Sequence, residues 1–118
     1  MHKILTMILF LPVISMADVA DNKKHEVLYL LNFIQQSGCE MSRNGSNHSG
    51  EDAVAHIQKK YDYFRKDVES TEDFIRLSAT KSTMSGKYYT VKCNGREIGK
   101  TKDWLLKELA VYRMKRRF

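Results

Sequence analysis

The fold of this 118-residue chain is decided by ten residues, Cys39-Glu40-Met41-Ser42-Arg43-Asn44-Gly45-Ser46-Asn47-His48. Side chains at positions 39–43 alternate with a period close to two, which is typical of a short β-strand. Asn44-Gly45 then predicts a tight hairpin turn, because both turn positions need a positive φ. A second pair, Asn94-Gly95, separates strand-like residues 88–93 from a returning run at 96–98. Two antiparallel hairpins are therefore expected.

Helical patterns surround both hairpins. Apolar side chains recur at helical spacing in 18–38, and three further segments repeat the pattern after residues that commonly cap helices. The expected caps are, in chain order, Asp21 or Asn22, Ser49, Ser70 and Thr101. Together these patterns predict an α+β domain: a small antiparallel sheet of about four strands, made from the two Asn-Gly hairpins and packed against three to four helices.

The first seventeen residues have the layout of a secretory signal peptide. Met1-His2-Lys3 is a cationic start, Ile4–Ile14 is mostly apolar, and Ser15-Met16-Ala17 places small residues before a cut. We expect cleavage after Ala17, leaving residues 18–118 as a single domain without a transmembrane segment, since the apolar run is shorter than the roughly 20 residues that span a bilayer. An uncleaved anchor is the alternative. The expected location is outside the cytoplasm, in the periplasm or the medium.

The chain has two cysteines, Cys39 and Cys93, and both follow the expected signal peptide. An oxidising compartment and an even count favour one disulfide, which would tie the first hairpin to the second. Two free buried thiols are the alternative. Neither cysteine has another cysteine within a few positions in the sequence, so we expect no zinc site built on them.

The formal net charge of the chain is +6. In a cytosolic protein this balance would suggest nucleic acid as a partner. Export argues against nucleic acid and favours the anions of the cell envelope. We therefore expect an envelope partner, with an anionic or peptide ligand, and no cofactor.

One constellation could support metal chemistry. Asp52 and His56 are four residues apart and share a helix face, and His48 lies just before that helix. Two imidazoles and a carboxylate suit zinc or another divalent ion, so a small metal-dependent hydrolase using His48, Asp52 and His56 is an alternative function. No fourth ligand at a diagnostic spacing is present, and the first interpretation is that the chain is not an enzyme.

Several short motifs follow one another in a set order from about Leu31 to Leu109, and together they resemble the YfeK-like family of small exported bacterial proteins. They are Arg43-Asn44-Gly45, the helix with Ala53 and His56, the block STEDFI at 70–75, and Ser85-Gly86-Lys87 followed by Tyr89. The family tends to have proline after Ser-Gly-Lys, where this chain has Tyr88. The resemblance implies an exported single domain and assigns no activity.

The same motifs supply a candidate binding surface. Backbone amides around a glycine, together with arginine and lysine side chains, suit an anionic group. The candidate residues are Arg43, Asn44, Ser85, Gly86, Lys87 and Tyr89. The sequence thus favours a non-catalytic binding or accessory domain of the cell envelope. A secreted factor that acts outside the cell is a further alternative.

Overall fold

The computed structural model of the protein describes residues 18–117, so the expected signal peptide lies outside the described residues. The prediction of an α+β domain with a four-stranded antiparallel sheet is confirmed. The elements in chain order are α1 Lys24–Gln36, β1 Glu40–Arg43, β2 Ser46–His48, α2 Gly50–Phe64, α3 Thr71–Ser78, β3 Thr90–Cys93, β4 Arg96–Lys100 and α4 Thr101–Lys115. Short 3₁₀ turns span Asp21–Lys23 and Arg65–Asp67.

The sheet has the order β2-β1-β3-β4, and every neighbouring pair is antiparallel. Asn44 and Gly45 connect β1 to β2 with φ angles of 50° and 86°, and Asn94 and Gly95 connect β3 to β4 with 54° and 75°. The two central strands come from different hairpins and pair in the register Met41↔Val91. Two segments about 50 residues apart in sequence therefore meet in the middle of the sheet.

Two of the expected helix caps are present. The Ser49 hydroxyl accepts from the Asp52 amide at 3.1 Å, and the Ser70 hydroxyl accepts from the Asp73 amide at 3.0 Å. These bonds satisfy backbone donors that the first turn of each helix leaves free.

The other two expected caps were wrong. Neither Asp21 nor Asn22 caps α1, because a 3₁₀ turn occupies these positions and Lys23 precedes the helix without a side-chain bond. Thr101 is the first residue of α4 rather than its cap, since β4 runs directly into the helix. Its hydroxyl is buried and has no hydrogen-bond partner among residues 18–117. The fold turns this side chain towards the core instead of the helix end.

The core lies between the sheet and the helices, with α1 packed against α2, α3 and α4. Its largest fully buried side chains include Phe74, Leu30, Ile57, Ile75, Leu105 and Leu109. Gly50 permits the close approach of α2 to α1, because a Cβ at this position would lie 2.6 Å from the Ile34 carbonyl oxygen. Any side chain at position 50 would force the two helices apart.

Cys39 and Cys93 form a disulfide-compatible pair with Cα atoms 4.4 Å apart, at the ends of the two central strands. The expected link between the hairpins is thus geometrically satisfied. Within residues 18–117, no helix combines the length and the apolar character that crossing a bilayer requires.

Candidate functional site

Arg43 ends β1, next to the tight turn, and its guanidinium lies between two histidines. One terminal nitrogen donates to Nδ1 of His56 on α2 at 3.2 Å, and the other donates to Nδ1 of His48 at the end of β2 at 3.4 Å. A guanidinium only donates hydrogen bonds, so both Nδ1 atoms act as acceptors and are unprotonated. Sheet and helix therefore hold two imidazole acceptors against one positive charge.

The hydrogen bonds continue from His56 to Tyr89, which lies just before β3. Because His56 Nδ1 accepts from Arg43, Nε2 carries the proton and donates to the Tyr89 hydroxyl at 3.1 Å. The ammonium of Lys60, one turn along α2, donates to the same hydroxyl at 3.1 Å and to the Lys81 carbonyl at 2.7 Å. We name Arg43, His48, His56, Lys60 and Tyr89 the Arg43 cluster.

The Arg43 cluster contains two cations and no carboxylate. Burial, with the charges of Arg43 and Lys60, lowers the pKa of His56 from 6.5 to about 4. Burial, with the charge of Arg43, also lowers the pKa of Lys60. The pKa of Tyr89 is raised by burial, and the nearby guanidinium opposes that shift. The site therefore disfavours further positive charge, which an anion would relieve.

The other half-buried arginines have carboxylate partners. Arg113 makes a bidentate pair with Glu26 through bonds of 2.8 and 2.9 Å, and Glu26 is only 2% exposed. Arg65 donates to Asp18 at 3.1 Å. Nε of Arg43, in contrast, is buried and has no hydrogen-bond partner among the described residues. Buried charges in proteins are normally paired, so the environment of Arg43 departs from the pattern set by its own fold.

The loop at 81–87 is attached to the first hairpin through Asn44. The side-chain Nδ2 of Asn44 donates to the Ser82 hydroxyl at 3.4 Å, and the Ser85 hydroxyl donates to Asn44 Oδ1 at 2.6 Å. Inside the loop, the Ser85 hydroxyl accepts from the Lys87 amide at 3.2 Å. Four of the candidate residues, Arg43, Asn44, Ser85 and Tyr89, therefore belong to two adjoining groups of contacts.

The remaining two candidates, Gly86 and Lys87, lie on the exposed rim of that loop. Gly86 has a φ of 74°, in the left-handed region that favours glycine, and its amide donates to the Ser82 carbonyl at 2.9 Å. That amide is therefore occupied within the loop. Of the backbone groups expected to receive an anion, this one is directed inwards.

The structure does not bring His48, Asp52 and His56 together as a metal site. His48 and His56 do converge, but on the guanidinium of Arg43, which would repel a divalent cation. Asp52 is exposed on the first turn of α2 and does not join them. No group of three His, Cys, Asp or Glu side chains in residues 18–117 is arranged to hold a metal ion.

Sequence reasoning missed Lys60 and Ser82 as members of this region. Lys60 lies four residues after His56, so helical spacing places both side chains on one face of α2. That spacing could have identified Lys60. Ser82 carries no comparable local signal, because its contact with Asn44 depends on the folding of the loop onto the hairpin.

Comparisons with known proteins match the chain to a bacterial relative and to a protein family. The chain is 30% identical over 87 residues to the "Uncharacterized protein YfeK" of Salmonella typhimurium. The aligned region covers 73% of this chain and 71% of that protein. No solved structure matches the chain. Residues 21–113 match the model of a family described as "Family of unknown function (DUF5329)". The resemblance to YfeK-like proteins is thereby confirmed, and the chain belongs to this family, DUF5329.

Proposed function

We propose that this protein is an exported, non-catalytic binding domain of the bacterial cell envelope and that it recognises an anionic group at the Arg43 cluster. The observation that carries the proposal is the missing carboxylate. Arg65 and Arg113 are paired with acidic side chains, whereas Arg43 faces the imidazoles of His48 and His56, and Lys60 bonds to the same cluster.

An anion would complete the electrostatics of this cluster. A phosphate, sulfate or carboxylate near Arg43 would accept charge-assisted hydrogen bonds from the guanidinium and from Lys60. It would also stabilise a proton on His56, since the positive charges that now lower the pKa of this imidazole would be offset. Anion binding and His56 protonation should therefore favour one another.

The hydrogen bonds of His56 support a binding role rather than proton transfer. A general base needs a nitrogen lone pair within reach of its substrate. Nδ1 of His56 accepts from Arg43, and Nε2 donates to Tyr89, so both ring nitrogens are engaged inside the protein. The histidine is thus placed to orient its neighbours.

The binding test is a thermal shift measurement with inorganic phosphate, sulfate and acetate. The matched variants are Arg43→Ala and Arg96→Ala, which remove the same charge from the two hairpins, and Arg96 is exposed on β4. We expect at least one anion to raise the melting temperature of the wild type and of Arg96→Ala, since a ligand at 100 times its Kd adds about 2.7 kcal/mol. The Arg43→Ala variant should not respond.

Two results would contradict the proposal. The first is that none of the three anions stabilises the wild-type protein. The second is that Arg43→Ala responds as strongly as Arg96→Ala, which would place the effect on general surface charge.

Export is tested separately. We expect the cell-associated protein to appear in the periplasmic fraction and to have a mature mass that begins at Asp18. Recovery from the medium would favour the secreted factor instead. A cytoplasmic protein that keeps residues 1–17 would refute the envelope assignment.

A further inference from the structure

A concave surface lies between α3 and α4, on the other side of the segment that carries Tyr89. Its walls are formed by residues of both helices and of the strand-connecting segment, with the Tyr88 ring at one end. The lining residues are Glu72, Ile75, Arg76, Thr80, Lys81, Tyr88, Lys102 and Leu106. We name this the Tyr88 groove. Leu106 and the Tyr88 ring form its exposed apolar lining, with the buried side chain of Ile75 beneath them.

Three ammonium groups converge on the Tyr88 ring. The Nζ atoms of Lys100, Lys81 and Lys102 lie 4.0, 5.9 and 5.9 Å from the ring centroid. None of these lysines forms a salt bridge within the described part of the chain, and the ring is 44% exposed. One aromatic face can stabilise a cation, but three cations around it repel one another.

Two acidic side chains near the groove, Glu72 and Asp73, are already engaged. Glu72 accepts from Arg113 at 2.7 Å, and Asp73 accepts from Arg76 at 3.1 Å. Neither carboxylate neutralises the lysines at Tyr88. The groove thus combines an apolar lining with an uncompensated cationic rim.

The geometry points to a second binding site at the Tyr88 groove, for an organic anion that carries a phosphate or carboxylate on a ring or other apolar body. The apolar body would cover Leu106 and the Tyr88 ring, which are 37% and 44% exposed, and the anionic head would contact the lysines. Ligand sites in proteins commonly combine a mainly apolar lining with a few polar groups that fix orientation.

This site is separate from the Arg43 cluster. Tyr89 is 2% exposed and directs its hydroxyl to His56 and Lys60, whereas Tyr88 is exposed on the opposite side of the chain, as strand alternation requires. Lys81 divides the two regions, since its carbonyl accepts from Lys60 while its ammonium lies near the Tyr88 ring. Either site can therefore be removed without the other.

The test uses phenyl phosphate as the probe, with phenol and inorganic phosphate as its two halves, followed by amide NMR on the purified protein. We expect phenyl phosphate to bind more tightly than either half and to shift the amide signals of Thr80, Lys81, Tyr88 and Leu106. Tyr88→Ala should weaken binding about fivefold, which corresponds to about 1 kcal/mol. Tyr63→Ala is the matched control, because Tyr63 is an 80% exposed tyrosine on α2.

A charge-removing pair completes the design. Lys100→Gln should weaken phenyl phosphate binding, and Lys66→Gln, on an exposed lysine outside the groove, should not. The Arg43→Ala variant should keep its affinity for phenyl phosphate at the groove, so that failure of the first proposal leaves this one testable. Equal binding of phosphate and phenyl phosphate, or no change in Tyr88→Ala, would overturn the assignment.

Discussion

On the helical side and the sheet side of this fold, a half-buried arginine has opposite electrostatic surroundings. Arg113 on α4 is held by Glu26 from α1 and Glu72 from α3, so one guanidinium joins three helices. Arg43 on β1 joins β2 and α2 through two imidazoles, and no carboxylate in residues 18–117 pairs with it. The first arrangement neutralises its charge, and the second leaves it uncompensated.

The contrast separates a stabilising device from a candidate ligand site. Glu26 also accepts from Thr71 at 2.6 Å, and its pKa is lowered to about 2, chiefly by the Arg113 hydrogen bonds and against the effect of burial. All partners of Glu26 are thus inside the fold. The partner that Arg43 lacks would come from outside, in line with the stability that functional sites often sacrifice.

The largest expected effect concerns the covalent support of the sheet side. The double variant Cys39→Ala/Cys93→Ala should lose about 4 kcal/mol of unfolding free energy, because a cross-link over 54 residues restricts the unfolded chain. Urea unfolding with and without reductant measures this loss. Wild-type protein that shows two titratable thiols when denatured without reductant would refute the disulfide, and the comparison would then rest on non-covalent contacts alone.

Next in size is the exchange of each arginine for an uncharged side chain. Arg113→Met should lower the unfolding free energy by about 3 kcal/mol, because the buried Glu26 carboxylate would lose its charged partner. Arg43→Met should be close to neutral, since it removes an uncompensated charge and retains apolar contacts. Urea denaturation measures the unfolding free energy of both variants. Equal losses would mean that the two arginines have the same structural role.

A smaller effect should appear in the pH dependence of stability. His56 has a folded-state pKa of about 4 against an ordinary 6.5, so the unfolded chain binds more protons between these values. Stability should fall as the pH is lowered from 6.5 towards 4, by about 2 kcal/mol once solvent screening of this partly exposed group is included.

On the helical side, stability should depend on pH over a more acidic range. Glu26 titrates at 4.5 in its ordinary state and at about 2 in the fold, so its contribution is complete above pH 4.5 and is lost towards pH 2. Urea unfolding at a series of pH values separates the two regions. His56→Gln should remove the decline between pH 6.5 and 4 and keep the lower one. A wild-type profile that is flat down to pH 4.5 would contradict the environment assigned to His56.

The smallest expected effect distinguishes the two tight turns. Asn44→Ala should cost about 1 kcal/mol more than Asn94→Ala, because only Asn44 has side-chain bonds, to Ser82 and Ser85, within the described residues. Both variants lose the same tolerance of positive φ, so their difference reports the tertiary bonds. Amide exchange in residues 81–87 should accelerate in Asn44→Ala alone. Equal costs and unchanged exchange would show that the loop does not depend on the hairpin.

Much of this fold could be predicted from local signals. Asn44-Gly45 and the Ser49 and Ser70 caps act within a few residues, and their chemistry does not depend on the remainder of the chain. Thr101 was misjudged for the opposite reason. Its local sequence favours a cap, but the direct junction of β4 with α4 turns its hydroxyl inwards.

The candidate site could be predicted only in part. Arg43 and Tyr89 were recognised as surface candidates, yet their link through His56 exists only because β1 pairs with β3 and α2 packs beside them. The Tyr88 groove was not predictable, since it depends on the packing of α3 against α4. Tertiary contacts between distant segments, rather than any local pattern, create both sites.

The strand order affects when the Arg43 cluster and the Tyr88 groove form during folding. β1 pairs with β3, which follows about 50 residues later in the chain. Such long-range pairings form slowly, because the entropy of loop closure is lost before the strand contacts form. Tyr88 and Tyr89 lie just before β3, and Lys100 and Lys102 follow it. A chain truncated before β3 would thus contain α1, α2, α3 and the first hairpin, but it would lack both the Arg43 cluster and the Tyr88 groove, which form only when the last third of the chain joins the sheet.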